Sequence, residues 1–481
     1  MKRLLIILIA VVPLWLHAQS PTSPSTFTLD RCITYALENA VDVKNARIDS
    51  EISEAKVKET TGLGFPQIDA NVSLQHNPKL PRFYSKYDAE QPSIIDLSQI
   101  PGIKSGDVVA FPNVFQLPSN GNAGITVNQL LFSSSYLIGL KAAATYKELS
   151  YKTEEQTQIT VMENVTKAYY GVLVNNERIA LVDNNIARVD SLLRTTTELH
   201  KNGFAEEIDV DRIQVTLNNL KSDRLKTLNL QNLSLGLLKF QMNFPMGQPI
   251  EVVGDLSELH VNEGLFNEYE EGWDYKNRIE FELLNTEKKL QELNIKNKYA
   301  ASLPSLDGFF NYGYSTQSPD IGGLFKTESD VASTNQYGPD KWYSYSSFGV
   351  SLKIPLFSGL QRNYQVQQSK LELLKIQNKE TSLKQNIDLS IQQNTVTYQN
   401  SLESLKSQNQ NMGLAEKVAR VTKIKYEQGV GSNIEVIEAE SSLREAQVNY
   451  YNALYDALIA KVDLDKAFAK IDPSKYTTTT N

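Results

Sequence analysis

From Gln361 to Gln428 the chain carries no proline and a single interior glycine, Gly413. As one α-helix this run rises about 100 Å, and few globular domains can contain such an element. The chain then returns. From about Ile434 a heptad seam of Val436, Ala439, Leu443, Ala446, Tyr450, Ala453, Ala457 and Ala460 keeps coiled-coil spacing. A second apolar row, Ile437, Val448, Tyr451, Tyr455, Leu458 and Val462, lies beside it. Two adjacent faces suit a helix in a cylinder wall, and an ordinary antiparallel coiled coil explains this helix equally well. Residues 133–243 are also free of proline, so two long helical hairpins are expected, at about 133–243 and 358–470.

Ahead of each hairpin lie two segments that alternate with period two, the pattern of a strand with unlike faces. Residues 67–76 set Ile68, Ala70, Val72 and Leu74 against Asp69, Asn71, Ser73 and Gln75. In 122–132, Ile125, Val127 and Leu131 alternate with Thr126, Asn128 and Leu130, and Gln129 interrupts the pattern. In 306–316, Phe310, Tyr312 and Tyr314 oppose Asp307, Asn311 and Ser315. The cleanest, 345–356, sets Phe348, Val350, Leu352, Ile354 and Leu356 against Ser347, Gly349, Ser351 and Lys353.

Strands of about 10 residues with one apolar face are long enough to cross a bilayer in a barrel. Pattern alone fits a soluble sandwich as well. Long polar inserts, 77–121 and 317–343, separate the members of each pair, as the outer loops of membrane barrels do. Both inserts are then expected to face the cell exterior. Four strands cannot close, and the smallest membrane barrels have about eight, so a barrel made from this chain needs several copies.

Hydrophobic residues are 41% and charged residues 22% of the chain, which excludes a bundle of transmembrane helices, each needing about 20 apolar residues in a row. The one apolar run, Leu4 to Leu16, follows Lys2 and Arg3 and precedes His17-Ala18-Gln19. That is the pattern of a secretory signal peptide over residues 1–18, cleaved after Ala18, and it predicts an exported mature chain. With 48 Lys and Arg against 56 Asp and Glu, a net charge of -8 and no basic block, no nucleic-acid partner is expected. Cys32 is alone, and His17, His76, His200 and His260 are scattered. Disulfides, a metal site and cofactor binding are therefore not expected, and without G-x-S-x-G or G-x-G-x-x-G an enzyme has no site to work with.

The chain also repeats itself. Gly124–Ser133 lines up with Gly349–Ser358, Phe65–Asp69 with Leu303–Asp307, and Gly203–Asp209 with Gly429–Glu435. Order and spacing agree, which predicts two structural repeats, 19–250 and 251–481.

Taken together, the duplicated strand pairs, Pro66 and Pro304 before their strands, Pro355-Leu356-Phe357-Ser358-Gly359 and the two hairpin tips resemble the TolC-like family of outer-membrane efflux proteins. The resemblance covers nearly the whole mature chain. It implies a protomer that is mostly α with a β-barrel part. Three copies give a homotrimer whose strands form one 12-stranded barrel in the outer membrane, among its lipids, and whose hairpins continue as a periplasmic α-barrel. It further implies a periplasmic adaptor and an inner-membrane transporter as partners in efflux or type I secretion. The segment Gly429–Ala439 matches the one that closes the family's tunnel, which puts aperture-ring carboxylates at Glu435 and Glu438. Asp209 and Tyr426 match residues that help hold the closed state, and Gly203, Gly429 and Gly431 mark the adaptor-facing tips. Gly431 stands where the family's best-known member has an arginine, so the full ionic lock does not carry over. The competing reading is an exported structural or adhesive coiled-coil protein with no channel, which leaves the amphipathic strands and their duplication unexplained.

Overall fold

A computed structural model describes residues 25–90, 100–256, 269, 272–329 and 338–476. The expected signal peptide, 1–18, lies outside the described residues, as do 91–99 and 330–337 of the two inserts. The chain divides into two compact units, one of Ile52–Lys147 with Lys288–Lys375 and one of Met1–Glu51, Glu148–Glu287 and Ile376–Asn481.

The first of these units is built on a four-stranded antiparallel sheet. Its strands are β2 (Gln67–His76), β5 (Ser119–Ser133), β7 (Ser305–Ser318) and β8 (Tyr343–Lys353), in the order β2-β5-β7-β8. The register carries the period-two pattern straight across. Ile68 faces Val127, Val127 faces Phe310, and Phe310 faces Phe348. Directly opposed residues share a face, so this row runs apolar across all four strands, while further along the same face β8 sets Ser346 and Ser344 opposite Tyr312 and Tyr314. One position along, Asp69, Thr126, Asn311 and Ser347 make the matching polar row. It is hydrogen-bonded: Thr126 Oγ1 donates to Asn311 Oδ1 at 2.8 Å, and Asn311 Nδ2 donates to Ser347 Oγ at 3.2 Å.

β5 and β7 run a few residues longer than the sequence reading, and β8 begins two residues earlier. β8 stops at Lys353 instead of 356, because Pro355 has no N–H to give the ladder, so Ile354 and Leu356 lie past the strand. In β5 the interruption at Gln129 has a structural cause. The register jumps from Leu130 opposite Asp307 to Phe132 opposite Leu306, which leaves Leu131 as the extra residue of a β-bulge. The Leu131 side chain lies over Gly308 on the apolar face. Gln129 turns its amide to the Gly64 and Leu130 carbonyls, at 2.7 and 2.9 Å. Within the 77–121 insert, β3 (Phe83–Lys86) and β4 (Val108–Phe111) form a small antiparallel ribbon that the loop reading did not anticipate.

The other unit is helical. Its main elements are α1 (Leu29–Asn39), α4 (Glu207–Met242), α7 (Asn433–Ala467) and the longer parts of α3 (Ser134–Lys201) and α6 (Gln361–Glu427). The unit boundaries fall inside α3, α6, α2 (Val41–Gly62) and α5 (Ile279–Ala300). The proline-free run is therefore one helix of 67 residues, and α3 has 68.

One core joins Ile33 and Leu37 of α1, Val165 and Val172 of α3, Leu238 and Met242 of α4, and Leu454 and Leu458 of α7. Beside it, β1 (Ser25–Phe27) pairs in parallel with β6 (Ile250–Val252). A charged quartet ties α3 to α7. Glu163 accepts from Lys167 and Lys466, both at 2.7 Å, and Lys167 also pairs with Asp463. Burial pushes the Glu163 carboxyl up, but its bonds to the two ammonium groups outweigh this and hold it below the ordinary value.

On α7 the expected seam is buried at Val436, Ala439, Leu443, Ala453, Ala457 and Ala460, but it breaks in the middle. Ala446 is half-buried, and Gln447 takes the inward position, accepting from Asn185 Nδ2 at 3.1 Å. A straight helix drifts from a strict heptad, which brings the neighbouring residue inward. Val448 of the second row is exposed. Among the described residues no helix is long and apolar enough to cross a membrane.

Candidate functional site

The candidate site is the pair of hairpin tips, between α3 and α4 and between α6 and α7. Both tips turn the chain in the same way. α3 ends with Gly203 at φ 79°, Gly203 N–H donating to the His200 carbonyl and Phe204 N–H to that of Leu199. α6 ends with Gly429 at φ 77°, Gly429 N–H donating to Tyr426 and Val430 N–H to Lys425. This is the Schellman closure, which needs a left-handed residue after the helix and so favours glycine. Gly431 has another constraint. A Cβ there would lie 3.1 Å from both Lys425 Cβ and the Tyr426 backbone nitrogen, so any side chain at this position is tightly placed.

The return helices then begin on capping groups. Glu206 precedes α4, with Asp209 Oδ2 accepting from its N–H at 3.4 Å, and Ser432 caps α7 by accepting from Glu435 N–H at 3.2 Å. Behind the caps an apolar cluster of Val189 and Leu192 of α3, Ile213 and Leu217 of α4, and Val436 of α7 holds the tips together.

The structure brings the sequence-selected residues into two separate links. Tyr426 OH shares a hydrogen bond of 3.0 Å with Thr196 Oγ1, and Thr196 is fully buried. Asp209 accepts from Asn433 Nδ2 at 3.0 Å through its carbonyl and at 3.1 Å through Oδ1, with Arg212 3.8 Å away. Among the described residues no hydrogen bond joins Asp209 to Tyr426. Thr196 and Asn433 escaped sequence reasoning, because a threonine inside a helix and an asparagine in a first turn have ordinary local readings. Only tertiary placement distinguishes them.

Glu435 and Glu438 are one turn apart on α7 and both exposed, flanking the buried Val436. Among the described residues neither carboxylate accepts a hydrogen bond or forms an ion pair. Deeper along the same helix Glu440 is paired with Arg188 of α3 at 3.3 Å. The acids nearest the tip thus present free charge, and the acid behind them is neutralised. Among the described residues no group of three or more His, Cys, Asp or Glu could hold a metal.

The comparisons with known proteins agree with this geometry. The sequence model of the family described as "Outer membrane efflux protein" matches residues 32–235 and 286–470, and so takes in most of both hairpins. Outer membrane protein TolC of Vibrio cholerae serotype O1 is 22% identical over 355 residues, 73% of this chain and 77% of that protein. Among solved structures, CusC, described for its transmembrane channel formation, aligns with a TM-score of 0.67 at 14% identity, covering 92% of this chain and 91% of its own. The CmeC outer membrane channel of Campylobacter jejuni aligns with a TM-score of 0.66 at 17% identity, covering 93% and 88%. Sequence and fold lead to one conclusion: the chain belongs to the outer membrane efflux protein family, the TolC-like channels of the Gram-negative outer membrane that carry a periplasmic helical part.

Proposed function

We propose that this protein is the exit duct of a tripartite efflux or type I secretion system. It conducts substrates delivered by an inner-membrane transporter and a periplasmic adaptor to the cell exterior, and it carries no catalytic site of its own. The observation that carries the reading is the sheet. It carries a row that is apolar on all four strands, with Phe348 85% and Val350 68% exposed, and among the described residues it leaves β2 and β8 unpaired on their outer edges. An exposed apolar row of this kind suits lipid, and open edges of ten and eleven residues call for a partner strand. Pairing β2 of one chain with β8 of the next closes a ring. Three chains supply twelve strands.

The helices support the same assembly. Of α6 only Ser369, Ile387, Tyr398 and Ala419 are buried, and Leu371, Leu374, Leu389, Leu414 and Ile424 are each more than half exposed. A helix of this length with so little cover needs neighbours from other chains. The two halves share an element order of helix, two sheet strands and a long hairpin, and their tips share one closure. This supports an origin by duplication.

In this assembly Glu435 and Glu438 line the periplasmic aperture as stacked rings, Asp209 and Tyr426 hold the closed tip, and Gly203, Gly429 and Gly431 shape the ends that meet the adaptor. The test is conduction. Purified protein added to a planar lipid bilayer should give discrete, uniform conductance steps. A folded, heat-resistant oligomer that inserts and never conducts would contradict the reading.

A further inference from the structure

Asn433 opens α7, yet only 4% of it is exposed. The first turn of a helix has free N–H groups that water ordinarily satisfies, so a buried amide here is not explained by capping. Ser432 already fills the cap, through its bond to Glu435 N–H. The Asn433 amide is instead spent on a residue 224 positions away. Its Nδ2 reaches both the carbonyl and the Oδ1 of Asp209, in the first turn of α4.

The second oxygen of the same carboxylate closes the start of α4, through Glu206 N–H. One Asp209 side chain therefore fixes its own helix start and, through Asn433, the start of α7. Donation to a carboxylate makes this a charge-assisted bond, stronger than an amide–amide pair. The arrangement has a built-in weakness. Among the described residues the buried Asn433 Oδ1 has no hydrogen-bond partner, so the linked state leaves one acceptor unsatisfied. Separation of the two turns lets water reach that oxygen and removes the penalty. Besides the Thr196–Tyr426 hydrogen bond, the tips are held by apolar contacts, such as Val436 against Ile213 and Leu192, which tolerate sliding.

We infer that Asn433 is a release latch. Its amide ties the first turn of α7 to the first turn of α4, and breaking that tie accompanies opening of the aperture. This rests on the reading of the tips as the closed end of a channel and adds a residue and a direction to it. Asn433 is a positioning residue, since it acts on the aperture through α7.

The test compares single-channel records of the full protein with Asn433→Asp, Asp209→Asn, and both changes together. Asn433→Asp sets a carboxylate against Asp209 and should raise the open fraction roughly tenfold, the factor expected for losing one charge-assisted bond. Asp209→Asn should raise it less. The double variant restores an amide–carboxylate pair with the roles exchanged, so it should close back towards the wild type. A merely structural role predicts that the double variant is worse than either single one. If Asn433→Asp yields no heat-resistant oligomer, Asn433→Ala removes the tie without adding charge and should also raise the open fraction. A wild-type pore whose gating is unchanged in these variants, or a double variant with no rescue, overturns the latch alone. No pore in any of the proteins, the wild type included, overturns the channel reading and the latch with it.

Discussion

Replacing Glu435 and Glu438 together with glutamine should weaken block by divalent cations from the periplasmic side and cut the preference for cations. The two side chains are exposed, one turn apart at the start of α7 and without a partner among the described residues. In a trimer they give two stacked rings of three carboxylates. At separations of about 7 Å each pair repels by about 0.6 kcal/mol in water and about 2.4 kcal/mol at an effective dielectric near 20. Stacked rings of this kind attract cations and bind multivalent ones best. Glutamine keeps the size and hydrogen bonding and removes six charges per trimer. Glu207→Gln, in the first turn of the return helix of the first hairpin, should do much less, because we place that hairpin on the outer side of the tip. Reversal potentials and divalent titrations in planar bilayers measure both effects. Unchanged block in the double variant places the constriction elsewhere.

An arginine at Phe348 should abolish assembly, and an arginine three residues further on should not. Phe348 ends the apolar row that begins at Ile68, and the proposed barrel turns this row to lipid. Arginine at the bilayer midplane of a membrane barrel costs about 2–4 kcal/mol per copy, and a trimer carries three copies. Ser351 belongs to the other face and stands opposite Asp307 in the register. Ser351→Arg therefore gains a cross-strand partner of opposite charge in a wetted lumen. The yield of heat-resistant trimers in the outer-membrane fraction decides. Normal assembly of Phe348→Arg with loss of Ser351→Arg would mean that the polar face is the one turned outward.

The strands and hairpins were legible in the sequence because each is a long periodic element whose signal accumulates. Ten alternating residues in β2 and a 67-residue helix free of proline leave few alternatives. What stayed hidden is short or conditional. β1 and β6 have three residues each, too few for a period, and the β3–β4 ribbon sits inside a polar insert. The Leu131 bulge registered only as a broken pattern at Gln129, since sequence cannot separate a bulge from a polar substitution. The inward turn of Gln447 in place of Ala446 stayed hidden because its partner, Asn185, is 262 residues away. At the tips, Gly203 and Gly429 announced themselves through helix-ending chemistry. Asn433 and Thr196 did not, because their significance comes entirely from the residues they meet.

The central claim, that separate chains close one barrel by pairing β2 with β8, is open to a direct test by disulfide capture. Cys32 is the only cysteine and is buried, so a Cys32→Ala background leaves a clean slate. Single cysteines are introduced at Ile68 or Val72 of β2 and combined with single cysteines at Phe348 or Val350 of β8. Within one chain β5 and β7 lie between these strands. The gap is three strand spacings of about 4.8 Å, well beyond the Cβ separation of about 4 Å that a disulfide spans. Any bond formed must therefore join different chains. Mild oxidation of native membranes should convert at least one pairing into covalent trimers on denaturing gels, while every single-cysteine protein stays monomeric. If no β2–β8 pairing links the chains of a correctly assembled protein, the barrel is not closed in this way.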